Sequence, residues 1–488
     1  MAYFLGIDLG GTVIKAGLYN ETGDEVGVFE SAAENVSPEE GFAERDMNLL
    51  WNSVCVVCRG VVHQSGIDER DIKGISFSSH GKGLYLVDKD GNPVRNGINS
   101  SDTRSLDIVK KWIEDGTADR AYPYGMQQIW TGHPVAILSW LKQHERTSYD
   151  KGAHVLMVHD YIRFRMTGEI GAEITNISGS NMYNQNTGAY DKRLLDMFGI
   201  EEYEDRLSKV VQSAEQCGTV TAKAAEDLGL AAGTPVFGGF FDVVSAAIAS
   251  GVIDGTALSA AAGTWTIATA IHDSIPKQDH HYIWGNYCIP GKYFVHEGSP
   301  TSASNLAWWR SNLLRGVSYD EANAWVDEIQ KSKKKTSLFY MPYLYGSNYR
   351  VGLNASLYGL QGAHTLKDVV NAIYEGIVFS HLINQDKVLR ITPSVRTIRM
   401  NGGPTRSEPW MKMFASASGL PVEVSTVKQT GCKAAAICAA VGAGFFKDFL
   451  EANTAVLKPM SVIEPDREQH DYLRDRYEQF LEINSHMV

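Results

Sequence analysis

A strand, a glycine-containing turn and a second strand follow one another near the start of the chain, and this order recurs after its midpoint. Tyr3–Asp8 and Val13–Tyr19 are rich in apolar and β-favouring residues, and Gly10–Thr12 separates them. The pattern returns where Thr256–Ala261 precedes Gly263–Trp265 and a further strand-like run. Such a recurrence predicts two similar α/β domains, each opening with a hairpin whose turn faces a shared ligand.

The length supports a division into two domains. The chain has 488 residues, and single hydrophobic cores rarely grow beyond roughly 250–300 residues. Apolar residues make up 44% and charged residues 21%, as in ordinary globular proteins, which excludes a disordered chain, a collagen and a coiled coil. We place the boundary near 250–255, giving domains 1–252 and 253–488. Helices are predicted at Asn48–Gln64, Pro134–His144, Val243–Ser250, Thr365–Gln385 and Gly431–Gly442.

The charge balance and hydropathy exclude several classes of partner. Lys and Arg number 45 against 57 Asp and Glu, a net charge of −12. This acidic balance argues against a nucleic-acid-binding protein, whose affinity depends on a basic surface. No apolar run reaches the ~20 residues of a membrane helix, and the first residues lack a basic flank typical of a signal peptide. We therefore expect a cytoplasmic protein without a membrane partner.

The cysteines are expected to be reduced and structural. Six in a chain of this length do not form a disulfide framework. Cys55 and Cys58 form a C-x-x-C pair, but they lie in an apolar segment with helical periodicity. A second such pair or a pair of histidines would be needed to complete a zinc site. Buried thiols on a helix are the favoured interpretation.

Both glycine turns carry groups suited to phosphate. Gly11 in the first turn lets backbone N–H groups approach an anion closely, and Thr12 and Lys15 add a hydroxyl and an ammonium. Asp8, at the end of the first strand, suits a water-mediated Mg²⁺ site. The alternative is an ordinary hairpin turn. The second turn, with Gly263 and Thr264, repeats the chemistry, and the pair is more informative than either member.

Two further segments carry candidate site residues. Asp242 follows the glycine-containing strand end Gly238–Phe241 and begins an apolar helix. It could act as a helix cap near the helix dipole, or accept the proton of an attacking hydroxyl during phosphoryl transfer. Gly402 and Gly403 lie in a turn between a strand and a helix, where backbone amides could contact a nucleotide.

Taken together, these motifs resemble the FGGY family of carbohydrate kinases, within the actin/Hsp70/sugar-kinase superfamily. The resemblance extends over nearly the whole chain and is carried, in the family's order, by Gly6–Thr12, Gly239–Asp242, Gly263–Trp265, Tyr358–Gly376, Asn401–Gly403 and Gly431–Ala435. It implies two RNase H-like α/β domains flanking a catalytic cleft, with sugar bound by 1–252 and nucleotide by 253–488. ATP and Mg²⁺ are the implied cofactors.

The resemblance also implies a role for each candidate. Asp242 would be the general base toward the sugar hydroxyl, and Asp8 would organise Mg²⁺ through water. The first phosphate motif would comprise Gly11, Thr12 and Lys15. The second phosphate motif would comprise Gly263 and Thr264, and the adenosine motif would comprise Gly402 and Gly403.

The sugar-side segments suggest which substrate is used. By family position, His80, Lys82, Asp102, Arg104 and Trp130 would join Asp242 in binding the sugar. Each has a simpler interpretation. His80 could be a core or turn histidine, Trp130 a core residue and Lys82 a surface cation. Asp102 and Arg104 could form an internal ion pair. The strings Glu44–Met47, His80–Leu84, Trp130–Val135 and Tyr343–Asn348 resemble those of L-xylulose kinases of the 3-keto-L-gulonate pathway type.

That likeness implies phosphorylation of the terminal hydroxyl of a ketopentose, L-xylulose, to the 5-phosphate. D-xylulose, L-ribulose, erythritol, glycerol and gluconate remain alternative substrates. An actin-like or chaperone-like ATPase and a sugar-binding regulator without turnover are rival functions; the sugar-side segments and Asp242 disfavour them. Homodimers are common among such kinases, so both a monomer and a homodimer remain open.

Overall fold

The computed structural model describes residues 1–263, 265–278, 280–332, 334–348 and 352–487. Up to residue 253 the strands are β1 (Tyr3–Leu9), β2 (Val13–Asn20), β3 (Glu25–Ala32), β4 (Glu44–Arg45), β5 (Ile72–Ser79), β6 (Tyr85–Val87), β7 (Gly97–Ile98), β8 (His154–Leu156), β9 (Ala172–Glu173), β10 (Tyr183–Asn184), β11 (Ala189–Tyr190), β12 (Val210–Val211), β13 (Gln216–Thr219), β14 (Pro235–Phe237) and β15 (Phe240–Phe241). The helices are α1 (Met47–Ser65), α2 (Leu106–Glu114), α3 (Thr117–Gly125), α4 (Pro134–His144), α5 (Arg146–Lys151), α6 (Val158–Thr167), α7 (Ile174–Ile177), α8 (Lys192–Met197), α9 (Ala222–Leu228) and α10 (Asp242–Ala249). Short 3₁₀ turns span Glu69–Asp71 and Glu201–Arg206.

The rest of the chain again mixes strands and helices. Its strands are β16 (Ala257–Ala262), β17 (Thr266–His272), β18 (Ile283–Asn286), β19 (Tyr293–Ser299), β20 (Phe339–Met341), β21 (Ser356–Tyr358), β22 (Thr397–Asn401), β23 (Val422–Val424) and β24 (Ser461–Ile463). Its helices are α11 (Ser304–Asn312), α12 (Tyr319–Ser332), α13 (Leu366–Ile391), α14 (Glu408–Ser418), α15 (Thr430–Gly442), α16 (Phe449–Val456) and α17 (Arg467–His486). A 3₁₀ turn spans Gly403–Arg406.

The predicted helices are confirmed, with small changes at their ends. The helix predicted at Pro134–His144 has those bounds, and α1 ends at Gly66, which adopts the left-handed conformation with a φ of 67°. The strand predicted to run into Phe241 is instead two strands, because Gly238 and Gly239 interrupt the pairing. Helix α13 continues past the predicted Gln385 to Ile391.

The chain forms two compact units. The first comprises Met1–Ile253, Asp273–Phe294 and Gln429–Leu457, and the second comprises Asp254–His272, Val295–Lys428 and Lys458–Val488. Each unit is therefore assembled from three separate segments of the sequence.

The first unit is organised around β1. Its sheet has the order β13-β14-β5-β1-β2-β3, with β15 also paired to β5. Strand β1 is antiparallel to β2 and parallel to β5. Helix α15 packs against β1 and β5, and its approach requires Gly6, because a Cβ there would overlap the carbonyl oxygen of Cys432. The strands, α1 and α6 bury one apolar cluster, which includes Leu5, Ile75 and Tyr161.

The second unit repeats the central arrangement of the first. Its strands lie in the order β19-β17-β16-β22-β23-β24. Strand β16 is antiparallel to β17 and parallel to β22, as β1 is to β2 and β5. The recurring hairpin in the sequence thus corresponds to a recurring three-strand arrangement.

In the part of the chain that the structure describes, no helix combines the length and apolar character needed to cross a bilayer.

Candidate active site

Asp8 lies near the carboxyl end of β1, in the middle of the first unit's sheet. Strand register places it beside Lys15 on β2 and Ser78 on β5. The Lys15 ammonium donates a hydrogen bond to Gln429 Oε1 over 3.0 Å and lies 3.6 Å from Glu30 Oε2. Burial raises the pKa of Asp8 to about 6, although the Ser78 hydroxyl and the Lys15 charge act in the opposite direction. Asp8 is therefore a carboxyl group that a further cation would stabilise in its ionised form.

Asp242 is placed at the same edge of the sheet. It is the first residue of α10 and directly follows β15, whose Phe240 and Phe241 pair with Ser78 and Ser79. Asp242 is exposed to solvent. Desolvation by the surrounding protein and the negative charge of Asp8 raise the pKa of Asp242 to about 7, while the Val243 amide and Lys82 oppose the shift. A carboxyl group with this pKa can accept a proton near neutral pH, as a general base must.

Lys82 carries a largely desolvated ammonium group that interacts electrostatically with Asp242. The residue has a φ of 61°, and its amide donates to Asn176 Oδ1 over 2.9 Å, which fixes the backbone in this left-handed conformation. Only 7% of the residue is exposed, and Nζ lies 4.8 Å from the centre of the Phe241 ring. Burial lowers the pKa of Lys82 to about 8, and Asp242 opposes that shift. The two groups form an electrostatic pair.

His80 and Trp130 belong to segments connected to the Lys82 loop. The Gly83 amide donates to the carbonyl of Gly132 over 2.9 Å, and so joins the loop of Lys82 to that of Trp130. The Trp130 amide donates to His133 Nδ1 over 3.1 Å. Burial lowers the pKa of His80 to about 3, so its imidazole is neutral. Within the described residues, His80 Nε2 is buried without a hydrogen-bond partner.

Asp102 and Arg104 form an internal ion pair. Both side chains are fully buried, and Arg104 Nε donates to Asp102 Oδ1 over 2.8 Å. The other Asp102 oxygen accepts from the Ala43 amide over 2.6 Å, and Arg104 also donates to Glu44 over 2.7 Å. The guanidinium group stacks over Phe42 at 4.0 Å. These contacts match the simpler of the two interpretations of the pair.

The first glycine turn is held by residues to which the sequence motifs assigned no role. Gly11 and Thr12 are exposed at the tip of the β1–β2 hairpin. The buried Arg45 donates to the Gly11 carbonyl over 3.0 Å, and Asn35 donates to the same oxygen over 2.6 Å. Two side chains thus hold the Gly11 carbonyl in place, while Gly11 and Thr12 themselves stay exposed.

The predicted nucleotide residues of the second unit converge at the ends of β16 and β22. Gly263 follows β16, and no atom lies within 4 Å of where its Cβ would be. Gly402 has a φ of 105°, and a Cβ there would overlap the Ala262 carbonyl oxygen, so its turn lies against the end of β16. Gly403 begins the 3₁₀ turn and is open in the same way. Thr264 lies outside the described residues.

The donor set around Asp8 fits a water-mediated divalent cation. Among the described residues, no group of three or more His, Cys, Asp or Glu side chains is arranged to hold a metal directly. The ionised carboxylates of Asp8 and Asp242 nevertheless repel each other, as the raised pKa of Asp242 shows. Mg²⁺ usually keeps several waters and uses one or two carboxylates plus substrate phosphates, which matches this pair.

Comparison with known proteins identifies the family. The model of the N-terminal domain of the FGGY family of carbohydrate kinases matches residues 3–249, and that of the C-terminal domain matches residues 258–443. The chain is 43% identical to the L-xylulose/3-keto-L-gulonate kinase of Escherichia coli (strain K12), over 99% of this chain and 96% of that protein. It is 39% identical to a probable L-xylulose kinase of Pasteurella multocida (strain Pm70), over 99% of both.

Solved structures agree on the fold. A ligand-bound xylulose kinase from Lactobacillus acidophilus superposes with a TM-score of 0.92 at 22% identity, covering 99% of this chain and 98% of that one. The ADP complex of Plasmodium falciparum glycerol kinase gives a TM-score of 0.87 at 19% identity, with the same coverage. The expected two-domain α/β fold of the sugar kinases is confirmed. The chain belongs to the FGGY family of carbohydrate kinases and is an ATP-dependent sugar kinase.

Proposed function

We propose that this kinase transfers the γ-phosphoryl group of ATP to the terminal hydroxyl of L-xylulose, giving L-xylulose 5-phosphate. The observation that carries the proposal is the placement of Asp242, a carboxyl group with a pKa near 7 beside Asp8 and Lys82. The names of the relatives from Escherichia coli and Pasteurella multocida support L-xylulose as the acceptor.

Asp242 acts as the general base. It accepts the proton of the sugar hydroxyl as that oxygen attacks phosphorus, and its pKa lets it do so at neutral pH. The protein's larger contribution is to position the reactants and to complement the charge that develops on the phosphoryl oxygens. Lys15 and the amides of Gly11 and Thr12 contribute to that charge complementarity.

Asp8 would hold Mg²⁺ through water, and the metal would supply neutralisation of the phosphate charge. Gly263 and Thr264 form the second phosphate contact, and Gly402 and Gly403 contact adenosine. In this proposal residues 1–252 bind the sugar and residues 253–488 bind the nucleotide.

Lys82, His80 and Trp130 recognise the sugar beside Asp242. Lys82 offers a desolvated donor, neutral His80 offers a ring nitrogen, and Trp130 offers an aromatic face. We assign Asp102 and Arg104 to an internal ion pair rather than to sugar contacts, because both side chains are fully buried against each other, Glu44 and the Ala43 amide.

A second acceptor, a ketose that carries a carboxylate, is favoured by one observation. Lys82 is buried yet cationic, and a substrate carboxylate would add a second negative charge to that of Asp242. The name of the Escherichia coli relative includes 3-keto-L-gulonate, an acceptor of this class. We therefore propose 3-keto-L-gulonate as an additional substrate.

An ADP-release assay over a panel of acceptors tests the substrate assignment. The panel contains L-xylulose, 3-keto-L-gulonate, D-xylulose, L-ribulose, erythritol, glycerol and gluconate. We expect the highest kcat/KM with L-xylulose and measurable turnover of 3-keto-L-gulonate. A higher kcat/KM for D-xylulose than for L-xylulose would overturn the assignment.

The general-base role predicts the behaviour of Asp242→Asn. The substitution keeps the side-chain volume but removes the proton acceptor, so kcat should fall by roughly 10²–10⁴-fold. Binding of ATP, measured by isothermal titration, should be retained because the nucleotide contacts are unchanged. Near-normal turnover in this variant would show that another group accepts the proton.

We further propose that the enzyme works in the cytoplasm on small molecules, without a nucleic-acid or membrane partner. Supply of ATP and the burial of all six free cysteines support this location. Size-exclusion chromatography with light scattering would distinguish the monomer from the homodimer.

A further inference from the structure

The segment that leads to Asp242 is held by hydrogen bonds from the protein interior. The Gly238 carbonyl accepts from Arg163 over 2.8 Å, and the Gly239 amide donates to the Ser213 carbonyl over 3.0 Å. The Phe241 amide, immediately before Asp242, donates to the Thr175 hydroxyl oxygen over 2.9 Å. The direction in which α10 begins, and with it the direction of the Asp242 side chain, depends on these bonds.

Glu173 joins two of these supports. One of its oxygens accepts from the Ser213 hydroxyl over 2.6 Å and from the Thr175 amide over 3.0 Å. The other accepts from the Thr175 hydroxyl over 2.7 Å and from the Asn176 amide over 3.2 Å. The Thr175 hydroxyl therefore donates to Glu173 and accepts from Phe241, which orients its single proton. A continuous path of hydrogen bonds connects Glu173 to the residue before the catalytic base.

This network is enclosed and includes further ionisable groups. Glu173, Thr175 and Ser213 are all fully buried. His159 Nε2 lies 3.7 Å from Glu173 and 3.5 Å from Asp160, and His159 Nδ1 lies 2.6 Å from the Ser79 hydroxyl. Burial raises the pKa of Glu173 to about 7 and lowers that of His159 to about 4. A buried carboxyl is costly to maintain, which indicates that it has a task that an apolar side chain could not perform.

We propose that Glu173 is a positioning residue that, through Thr175 and Ser213, fixes the backbone of Gly239–Phe241 and so aims the Asp242 carboxylate at the sugar hydroxyl. This inference rests on the proposed role of Asp242 as the general base. It assigns Glu173 and Thr175 to the orientation of the base and not to contact with sugar or ATP.

A matched pair of substitutions at Thr175 tests the proposal. Thr175→Val keeps the shape but removes the hydroxyl that receives the Phe241 amide, whereas Thr175→Ser keeps the hydroxyl. We expect Thr175→Val to lower kcat roughly 10- to 100-fold, since small misplacements of catalytic groups have effects of this size. KM for ATP should be unchanged, and Thr175→Ser should restore most of kcat. A kcat for Thr175→Val within twofold of the wild type would overturn the proposal, even if the melting temperature falls.

Glu173→Gln and Ser213→Ala keep the proposal testable if Thr175→Val does not fold. Ser213→Ala removes only a hydroxyl, and Glu173→Gln turns one acceptor oxygen into a donor. Both should lower kcat more than they change KM for ATP, and wild-type kcat in both would contradict the proposal.

Asp242→Asn separates this inference from the proposed function on which it rests. Loss of turnover in Asp242→Asn, with normal kcat in Thr175→Val and Glu173→Gln, would refute the positioning role of Glu173. It would leave the proposed role of Asp242 standing. Normal turnover in Asp242→Asn would refute both.

Discussion

Lys82 and Asp242 influence each other's ionisation, so we expect the charge of Lys82 to affect the pH range of the proposed general base. The ammonium lowers the pKa of Asp242, which desolvation and Asp8 raise to about 7. A carboxylate is stabilised by a nearby cation, so removing the cation raises its pKa further. The base should then be ionised only at higher pH.

Lys82→Met should therefore move the acidic limb of the kcat/KM profile to higher pH. The measurement is kcat/KM for L-xylulose as a function of pH, which reports groups of the free enzyme. Lys82→Arg, which keeps the charge, is the control and should leave the limb near its original position. An unchanged limb in Lys82→Met would mean that the two groups are not coupled.

At this scale, sequence motifs indicated the residues of the candidate site but not the residues that support them. Asp8, Lys82 and Asp242 stand within recognisable local strings, and the structure gives each an environment that shifts its pKa. Glu173 carries no such signal, because its partner Ser213 is 40 residues away in the sequence. Thr175 is 66 residues from its partner Phe241. Hydrogen bonds over such separations depend on the folded arrangement and leave no spacing rule in the sequence.

Helix α15 and strand β1 are in such close contact that glycine is required on both elements. A Cβ at Gly6 would overlap a backbone carbonyl, whereas a Cβ at Gly431 would lie 2.4 Å from Asp8 Cγ and 2.5 and 2.6 Å from its two carboxylate oxygens. The backbone cannot move without shifting a whole element, whereas the Asp8 side chain can change its χ1 rotamer and carry its carboxylate away. The two glycines should therefore have different effects when replaced.

Gly6→Ala is expected to destabilise the fold, and Gly431→Ala to disturb the site. Overpacking of a core costs roughly 1–3 kcal/mol, so Gly6→Ala should lower the melting temperature. Gly431→Ala should have little effect on melting but should raise the Mg²⁺ concentration needed for half-maximal activity, because Asp8 is displaced. Gly362→Ala, whose Cβ would meet no atom within 4 Å, is the control for melting. An unchanged Mg²⁺ dependence in Gly431→Ala would contradict the proposed role of Asp8.

Sequence periodicity predicted the helices well because their apolar faces and end signals are local. The left-handed Gly66 after α1 is one such signal, and it lies two residues beyond the predicted end of the helix at Gln64. The interrupted strand before Asp242 was predicted less well. There Gly239 has a φ of 108°, a conformation set by the bonds that its neighbours make with distant segments.

For the molecule as a whole, the burial of the cysteines predicts slow reaction with thiol reagents. All six are buried and free, and burial raises the pKa of Cys55 to about 11 and that of Cys438 to about 12. Thiolate is the reactive form, so the native protein should react slowly with Ellman's reagent. In guanidinium chloride, six thiols per chain should react. Rapid labelling of several thiols in the native protein would contradict this prediction.

The composition of the two units was less accessible to sequence reasoning than their fold. The recurring hairpin indicated two α/β units because strands and turns have local signatures. Residues 273–294 and 429–457 belong with the first unit through their packing, and packing partners far apart in the sequence share no local pattern.

The position of α15 in the first unit also has a consequence for protein synthesis. Strands β1 and β5 are synthesised well before the helix that packs on them, which is formed by residues 430–442. Until that segment is released, the nascent first unit lacks part of its core and exposes the faces around Gly6 and Gly74. The unit that carries Asp8 and Asp242 can therefore complete its folding only after residues 430–442 have left the ribosome, and a gene fragment ending near residue 253 would not yield that unit in its native form.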